Sequence, residues 1–407
     1  MSWPPDRSRV VAALGVAQLI GWGTSFYFPG VLAAPIAADT GWPLSTIVGG
    51  VSLGLFIAGL ISPQVGRVIA ARSGRPVLAA SSLLFAAGLC MIGLAPSLWV
   101  YLVGWIGVGA AMGTGLYDAA FAALGRLYGA TARGPITALT LFGGFASTVF
   151  WPLGAFLAAA FGWRNACFAY AALHLLIALP LVLTFPTGKA APSEDASITA
   201  APKTLRASRR GEGATLILLA LILTLSAGIG SIVVVHLLLI LEARGLAVAV
   251  AVSIGTLFGP AQVGARVIEG LFGARYHPIW TMVASCAAMA LGLAAMLTSA
   301  GVAVLTTAMI IYAAGYGIMW IARGTLPLAL FGAERYPVLM GRLAFPSLIV
   351  QALAPFAAAL TIERYGIDTM VVGLSAIAAI NMLLVAVLWW SCNADNDPVQ
   401  DRRASGD

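Results

Sequence analysis

From Pro76 to Gly125 the chain runs 50 residues with one charge, Asp118, and from Pro278 to Ala322 it runs 45 residues with none. Runs of this length dictate the class of fold. One bilayer crossing takes about 20 apolar helical residues, so each run is long enough for two. A carboxylate at such depth costs roughly 2.5 kcal/mol or more in lipid, so Asp118 is expected to face protein or water. The rest of the chain agrees: 60% of residues are apolar and 9% charged, with a mean hydropathy of +0.96, whereas a soluble chain carries about 25% charged residues. The net charge of +7 is spread over short loops between apolar runs. That sets topology in a lipid bilayer and is no signature of a nucleic-acid partner.

The pattern predicts an all-α membrane protein of twelve transmembrane helices in two pseudo-symmetric six-helix bundles. The spans run over about 10–36 (broken near Pro29-Gly30), 44–65, 76–95, 98–124, 136–161, 165–185, 214–241, 246–267, 278–297, 302–330, 343–362 and 367–390. The expected divisions are a bundle over 1–185, a polar linker over 186–213, a bundle over 214–390 and a polar tail over 391–407. Eighteen of the 22 Lys and Arg residues fall on the side that holds both termini. Three (Arg164, Arg244 and Arg364) fall on the other, and Arg323 lies within a span. The termini and linker are therefore expected to be cytoplasmic, in a bacterial-type inner membrane.

The halves repeat. Pro63-Gln64-Val65-Gly66-Arg67 ends span 2, and Pro260-Ala261-Gln262-Val263-Gly264-Ala265-Arg266 ends span 8. Aligning Leu127-Tyr128-Gly129 with Leu330-Phe331-Gly332 puts Asp118 opposite Ile321, two residues from Arg323. Parallel six-span repeats with a polar site near the midplane point to a secondary transporter.

The 6 + 6 layout and the loop between spans 2 and 3 resemble the major facilitator superfamily over nearly the whole chain. That loop, Gly66-Arg67-Val68-Ile69-Ala70-Ala71-Arg72-Ser73-Gly74-Arg75, is similar to the superfamily's signature, with Ala70 and Ala71 at its Asp-Arg positions. The resemblance implies alternating access, with spans 1, 4, 7 and 10 around a cavity, and a conformational-switch role for Gly66, Arg67, Arg72 and Arg75. Tyr27 to Val31, Gly41 to Ser45 and Ser62 to Arg67 are similar to the monocarboxylate and oxalate/formate porter branch. The acid–base pair such porters carry in span 8 has no evident counterpart, Arg266 lying at the span's end.

The candidate substrate- and proton-binding residues are Asp118, Arg323, Gln18, Trp22, Tyr316 and Trp320. Helical spacing sets Thr114, Ala111, Gly107 and Gly104 on the face of Asp118, small enough for close helix packing or a cavity wall. Arg323 shares a face with Tyr312, Tyr316, Trp320 and Pro327. A guanidinium can bind a carboxylate through two parallel hydrogen bonds. Protonating Asp118 would release Arg323 for a small organic anion and so couple protons to substrate. Gln18, Trp22 and Ser25 share a face of span 1. Ser226, Gly230, Ser231 and His236 are weaker candidates. His174 and Gln351 are expected to be structural, and Gly109 to Gly113 a tight packing motif. Cys90, Cys167, Cys286 and Cys392 show no paired spacing, and no cofactor or metal motif is present. The expected partners are a small solute, protons and the bilayer, with the monomer as working unit. Proton-driven efflux of drug-like compounds and a non-transporting sensor are the alternatives. An enzyme lacks a catalytic constellation.

Overall fold

The computed structural model describes residues 5–188, 212–298 and 301–394, so the linker and tail lie almost wholly outside the described residues. A bilayer offers backbone groups no hydrogen-bond partner, so spans must bond internally as helices. The described helices are α1 Pro5–Thr24, α2 Pro29–Thr40, α3 Leu44–Ala71, α4 Gly74–Leu94, α5 Leu98–Gly115, α6 Tyr117–Tyr128, α7 Arg133–Gly144, α8 Ala146–Phe161, α9 Trp163–Leu173 and α10 Leu179–Leu183. After the linker come α11 Glu212–Ala243, α12 Val248–Thr256, α13 Phe258–Phe272, α14 Pro278–Met296, α15 Val302–Phe331, α16 Tyr336–Tyr365 and α17 Ile367–Ala394.

Among the described residues, eleven helical stretches are long and apolar enough to cross a bilayer. Ten run 19 to 34 residues, and Leu98–Phe161 runs 64. At about 1.5 Å per residue, 64 residues is some three times the hydrocarbon thickness, enough for two crossings. The 3-10 turn Gly129–Ala132 divides it, so twelve spans result.

Several expected spans are interrupted. Span 1 breaks before Pro29, as its Pro-Gly pair predicts. Span 4 breaks at Leu116, span 5 at Phe145 and span 8 at Leu257, and span 6 contains a π-helical turn over His174–Ala178. Span 11 starts at Tyr336 rather than Leu343, because its helix continues past Arg342, where the apolar run ends.

The internal repeat appears in the connectors. Left-handed glycines turn the chain at Gly41 and Gly245, at Gly129 and Gly332, and at Gly162 and Gly366. The offsets are 245 − 41 = 204, 332 − 129 = 203 and 366 − 162 = 204. At these φ values, 55° to 85°, a Cβ is strained, so each connector needs its glycine.

The chain forms two compact units. The first comprises 1–190 with 333–357. In it α5 packs on α3 where a Cβ on Gly109 would lie 2.5 Å from Gly54 O, and on α4 where a Cβ on Gly88 would lie 2.9 Å from Gly104 O. The start of α16 crosses α3 in the same way: a Cβ on Gly66 would lie 2.5 Å from Pro337 O and 3.2 Å from Gly341 Cα. The second unit comprises 191–332 with 358–407. There α14 and α15 pack through Gly292 and Gly315, and Ser285 Oγ donates to Gly315 O at 2.8 Å.

Candidate functional site

In the first unit the site forms around the break at Leu116. Leu116 takes an extended backbone (ψ −168°) between α5 and α6, which leaves the last α5 carbonyls open to other donors. Gln18 of α1 uses one of them: its Nε2 donates to Gly115 O at 2.6 Å, and its Oε1 meets no donor among the described residues. One turn on, Trp22 lies 4.9 Å from the ring of Tyr117, which stacks on Phe121 at 5.2 Å and 8°. The Tyr117 hydroxyl donates to Thr140 O of α7 at 3.1 Å.

Half-buried Asp118 is the next residue, in the first turn of α6. Its position corrects the helical-face argument. With the helix broken at Leu116, Asp118 does not continue the face of Thr114, Ala111, Gly107 and Gly104. Gly104 and Gly107 instead pack against Gly88 of α4, and Thr114 turns back on the Ala110 carbonyl at 2.8 Å. The break gives Asp118 a helix N-terminus, where the dipole favours a carboxylate by about 0.3–1 kcal/mol. Gln18 and Trp22 thus reach the break from α1, and Asp118 follows it by two residues. Ser25 does not join them, because α1 ends at Thr24 and the Ser25 hydroxyl is turned onto Gly21 O.

In the second unit the site lies on α15, which runs unbroken past Pro327. Arg323 is 1% exposed, and its guanidinium lies 5.6 Å from the ring centroid of Trp320. Tyr316 packs edge-on to Trp320 at 6.1 Å and fits into the space left by Gly230 of α11. Phe258 of α13 lies 6.0 Å from Tyr316, and the Tyr312 hydroxyl donates to Ile229 O at 3.3 Å. Arg323, Trp320, Tyr316 and Gly230 therefore form one cluster.

Next to it lies a buried polar cluster that the sequence reading does not include. Arg266 of α13 is 3% exposed and donates from Nε to Gly317 O at 3.0 Å and from Nη2 to Gln262 Oε1 at 3.2 Å. One turn on, Glu269 is 7% exposed and accepts from Thr281 Oγ1 at 2.6 Å and from the Tyr276 hydroxyl. The internal repeat carries the signal. Three residues past Arg67 stands Ala70, and three past Arg266 stands Glu269.

The loop between α3 and α4 is two residues long. Arg67 and Arg72 are exposed, Arg126 donates to the Arg72 carbonyl, and Arg75 reaches Leu183 O at 3.4 Å. Gly66 is buried at the crossing with α16. Ser226 and Gln351 are buried, and Ser231 bonds back to Gly228 O at 3.0 Å.

The Major Facilitator Superfamily model matches residues 13–341. No curated protein matches the chain. Among solved structures, the human organic anion transporter MFSD10 (TETRAN) is similar at 16% identity and a TM-score of 0.73, over 94% of this chain and 100% of that one. The E. coli fucose:proton symporter FucP follows at 15% identity and 0.69, over 93% and 97%. The proton:xylose symporter XylE is similar at 11% identity and 0.71, over 93% and 94%. At these identities the likeness shows a common fold.

Proposed function

The chain belongs to the major facilitator superfamily, a family of transporters and not of enzymes, and from that premise we propose that it moves a small organic anion by proton-coupled secondary transport. The observation that carries the reading is Arg323, a guanidinium buried on a bilayer-spanning helix among Trp320, Tyr316 and Phe258. Ionisable groups inside a membrane are expensive and as a rule mark a pathway or a relay. Arginine with aromatic neighbours suits a carboxylate attached to an apolar body. Asp118 supplies the proton-carrying group, with Gln18 and Trp22 beside it. That one structural relative is an organic anion transporter and two others are proton symporters is in keeping with this reading.

In this scheme six-span halves over 1–185 and 214–390 work as a monomer in the plasma membrane, with both termini cytoplasmic. Gly66, Arg67, Arg72 and Arg75 take part in the conformational switch. The test is uptake into proteoliposomes under an imposed inward proton gradient, with small carboxylates beside hydrophobic cations. Carboxylate accumulation that depends on the gradient and is lost in Arg323→Gln is the expected result. Exchange of cations against protons, with carboxylates excluded, would replace the reading with efflux.

A further inference from the structure

The π-helical turn His174–Ala178 is packed inside the first unit, and His174 is 1% exposed. Its Nε2 lies 2.8 Å from Thr24 Oγ1. The Thr24 hydroxyl has one hydrogen, and it points at Ile20 O, 2.9 Å away. With that hydrogen committed, the Thr24 oxygen can only accept. This assignment sets the imidazole proton on Nε2 and leaves Nδ1 a bare lone pair. No described protein group donates to Nδ1. The ring is held by stacking on Phe85, with centroids 4.4 Å apart and planes at 20°.

His174 and Phe85 line a small cavity together with Ser81, Ser82 and Gly115. About 10 Å³ of it is open to the centre of a water molecule, roughly the space of one such molecule and no more. None of the lining residues is charged, which disfavours an ion. Polar atoms are at hand. The Ser81 hydroxyl donates to Leu78 O at 2.8 Å and keeps its lone pairs for accepting. Gly115 O takes one hydrogen bond from Gln18 and has a second lone pair. Small residues hold the space open: a Cβ on Gly115 would run into Ser81 Oγ, and one on Gly21 would lie 3.0 Å from Leu116 Cδ2.

We propose that this cavity is a binding site for a single water molecule, which donates one hydrogen bond to His174 Nδ1 and the other to a polar atom on the Ser81, Ser82 and Gly115 wall. A buried acceptor without a donor is costly, and a water with two to four polar partners relieves it. The water ties the π-turn to α4 and to the end of α5. Through Gly115 it adjoins Gln18, so it connects the helix of His174 to the break on which the candidate site is built. The proposal does not depend on what the chain transports.

The chain has three histidines, which makes a direct test tractable. Full-length protein labelled with 15N-histidine is reconstituted in lipid bilayers and its imidazole nitrogens are recorded by solid-state NMR. The spectrum of His174→Gln identifies the His174 signals by their loss. The expected result is a protonated Nε2, an unprotonated Nδ1, and magnetisation transfer from water protons to that Nδ1. Ser82→Leu, which fills the cavity, should abolish the transfer and leave the Nε2–H signal in place. A protonated Nδ1 would overturn the proposal. So would a His174 that receives nothing from water while His277 does, or transfer that survives the filling substitution. The wild-type spectrum decides between the first two outcomes and the expected one even where Ser82→Leu fails to fold.

Discussion

Asp39 at the end of α2 and Arg164 at the start of α9 form an ion pair, and the pair recurs in the second unit with its charges exchanged, as Arg244 and Asp368. The offsets, 244 − 39 = 205 and 368 − 164 = 204, lie within two residues of those of the turn glycines. The repeat therefore keeps the contact and not the sign. What is needed at this corner is opposite charge between the end of the first span and the start of the sixth, in either order. The side chains of Asp39 and Arg164 are about half exposed (49% and 44%). Their coupling, measured by a double-mutant cycle on thermal unfolding, should be small and fall with salt. The exchanged pair Asp39→Arg with Arg164→Asp should recover most of what either single change loses.

A second recurrence is buried. Spans 6 and 12 each send a polar side chain to a hydroxyl, on span 1 and span 7 respectively. His174 meets Thr24, and Asn381 Nδ2 donates to Ser226 Oγ at 2.9 Å and lies 3.6 Å from Cys286 Sγ. Hydrogen bonds between membrane helices are worth about 0.6 kcal/mol on average and up to about 1.7. Asn381→Leu should lower stability by about that range, measured as a shift in the unfolding midpoint of purified protein. Ser375→Ala on the same helix, where the hydroxyl only turns back on Val371 O, should change it far less.

Glycine crossings should be the least forgiving positions. A Cβ on Gly109 meets Gly54 O at 2.5 Å and one on Gly66 meets Pro337 O at 2.5 Å. Both obstacles are backbone and cannot rotate away. Gly109→Val is expected to destabilise by about 1–3 kcal/mol or more, as overpacking does, and to reduce the monodisperse fraction on size-exclusion chromatography. Gly264→Ala, where an added Cβ has nothing within 4 Å, is the control that should leave the profile unchanged.

Glu269 has both carboxylate oxygens in use, by Thr281 and Tyr276. Thr281→Val removes one donor and keeps the shape. Leaving a buried acceptor short of a partner costs about 1–3 kcal/mol, so thermal stability should drop by that order. The double variant Thr281→Val with Glu269→Gln should lose less than the two single losses added together.

Arg323→Lys retains the charge and gives up the planar fork and much of the contact with Trp320. Lysine is no substitute where two-point binding or stacking is used. If Arg323 recognises the transported anion, the concentration for half-maximal uptake should rise by about tenfold, equivalent to about 1.4 kcal/mol. An unchanged value would place Arg323 outside the binding step.

Much of the fold can be read from the sequence because membrane burial writes itself as apolar length. The apolar runs predict spans 9 and 10 over 278–297 and 302–330, and the helices form over 278–296 and 302–331. The breaks at Leu116, Phe145 and Leu257 are not legible in this way. No proline stands at those positions, and the glycines just before them, Gly115, Gly144 and Gly255, are a residue type that unbroken membrane helices also carry. The helix is broken before Asp118 and unbroken through Arg323, and a face read from spacing carries over only along an unbroken helix. Two of the buried polar groups do leave a signal in the sequence: Asn381 is a lone amide in an apolar span, and the repeat sets Glu269 against Ala70.

The π-turn at His174 has one more consequence. An α-helix advances about 100° per residue, so one residue too many in a turn rotates everything after it by that angle. Phe185, just past α10, is buried near Gly74, where an added Cβ would lie 3.3 Å from its ring. The widened turn works as a spline offset by one tooth: the half of the helix before it is keyed to the end of α4 at Gly93, and Phe185 after it to the start of α4 at Gly74.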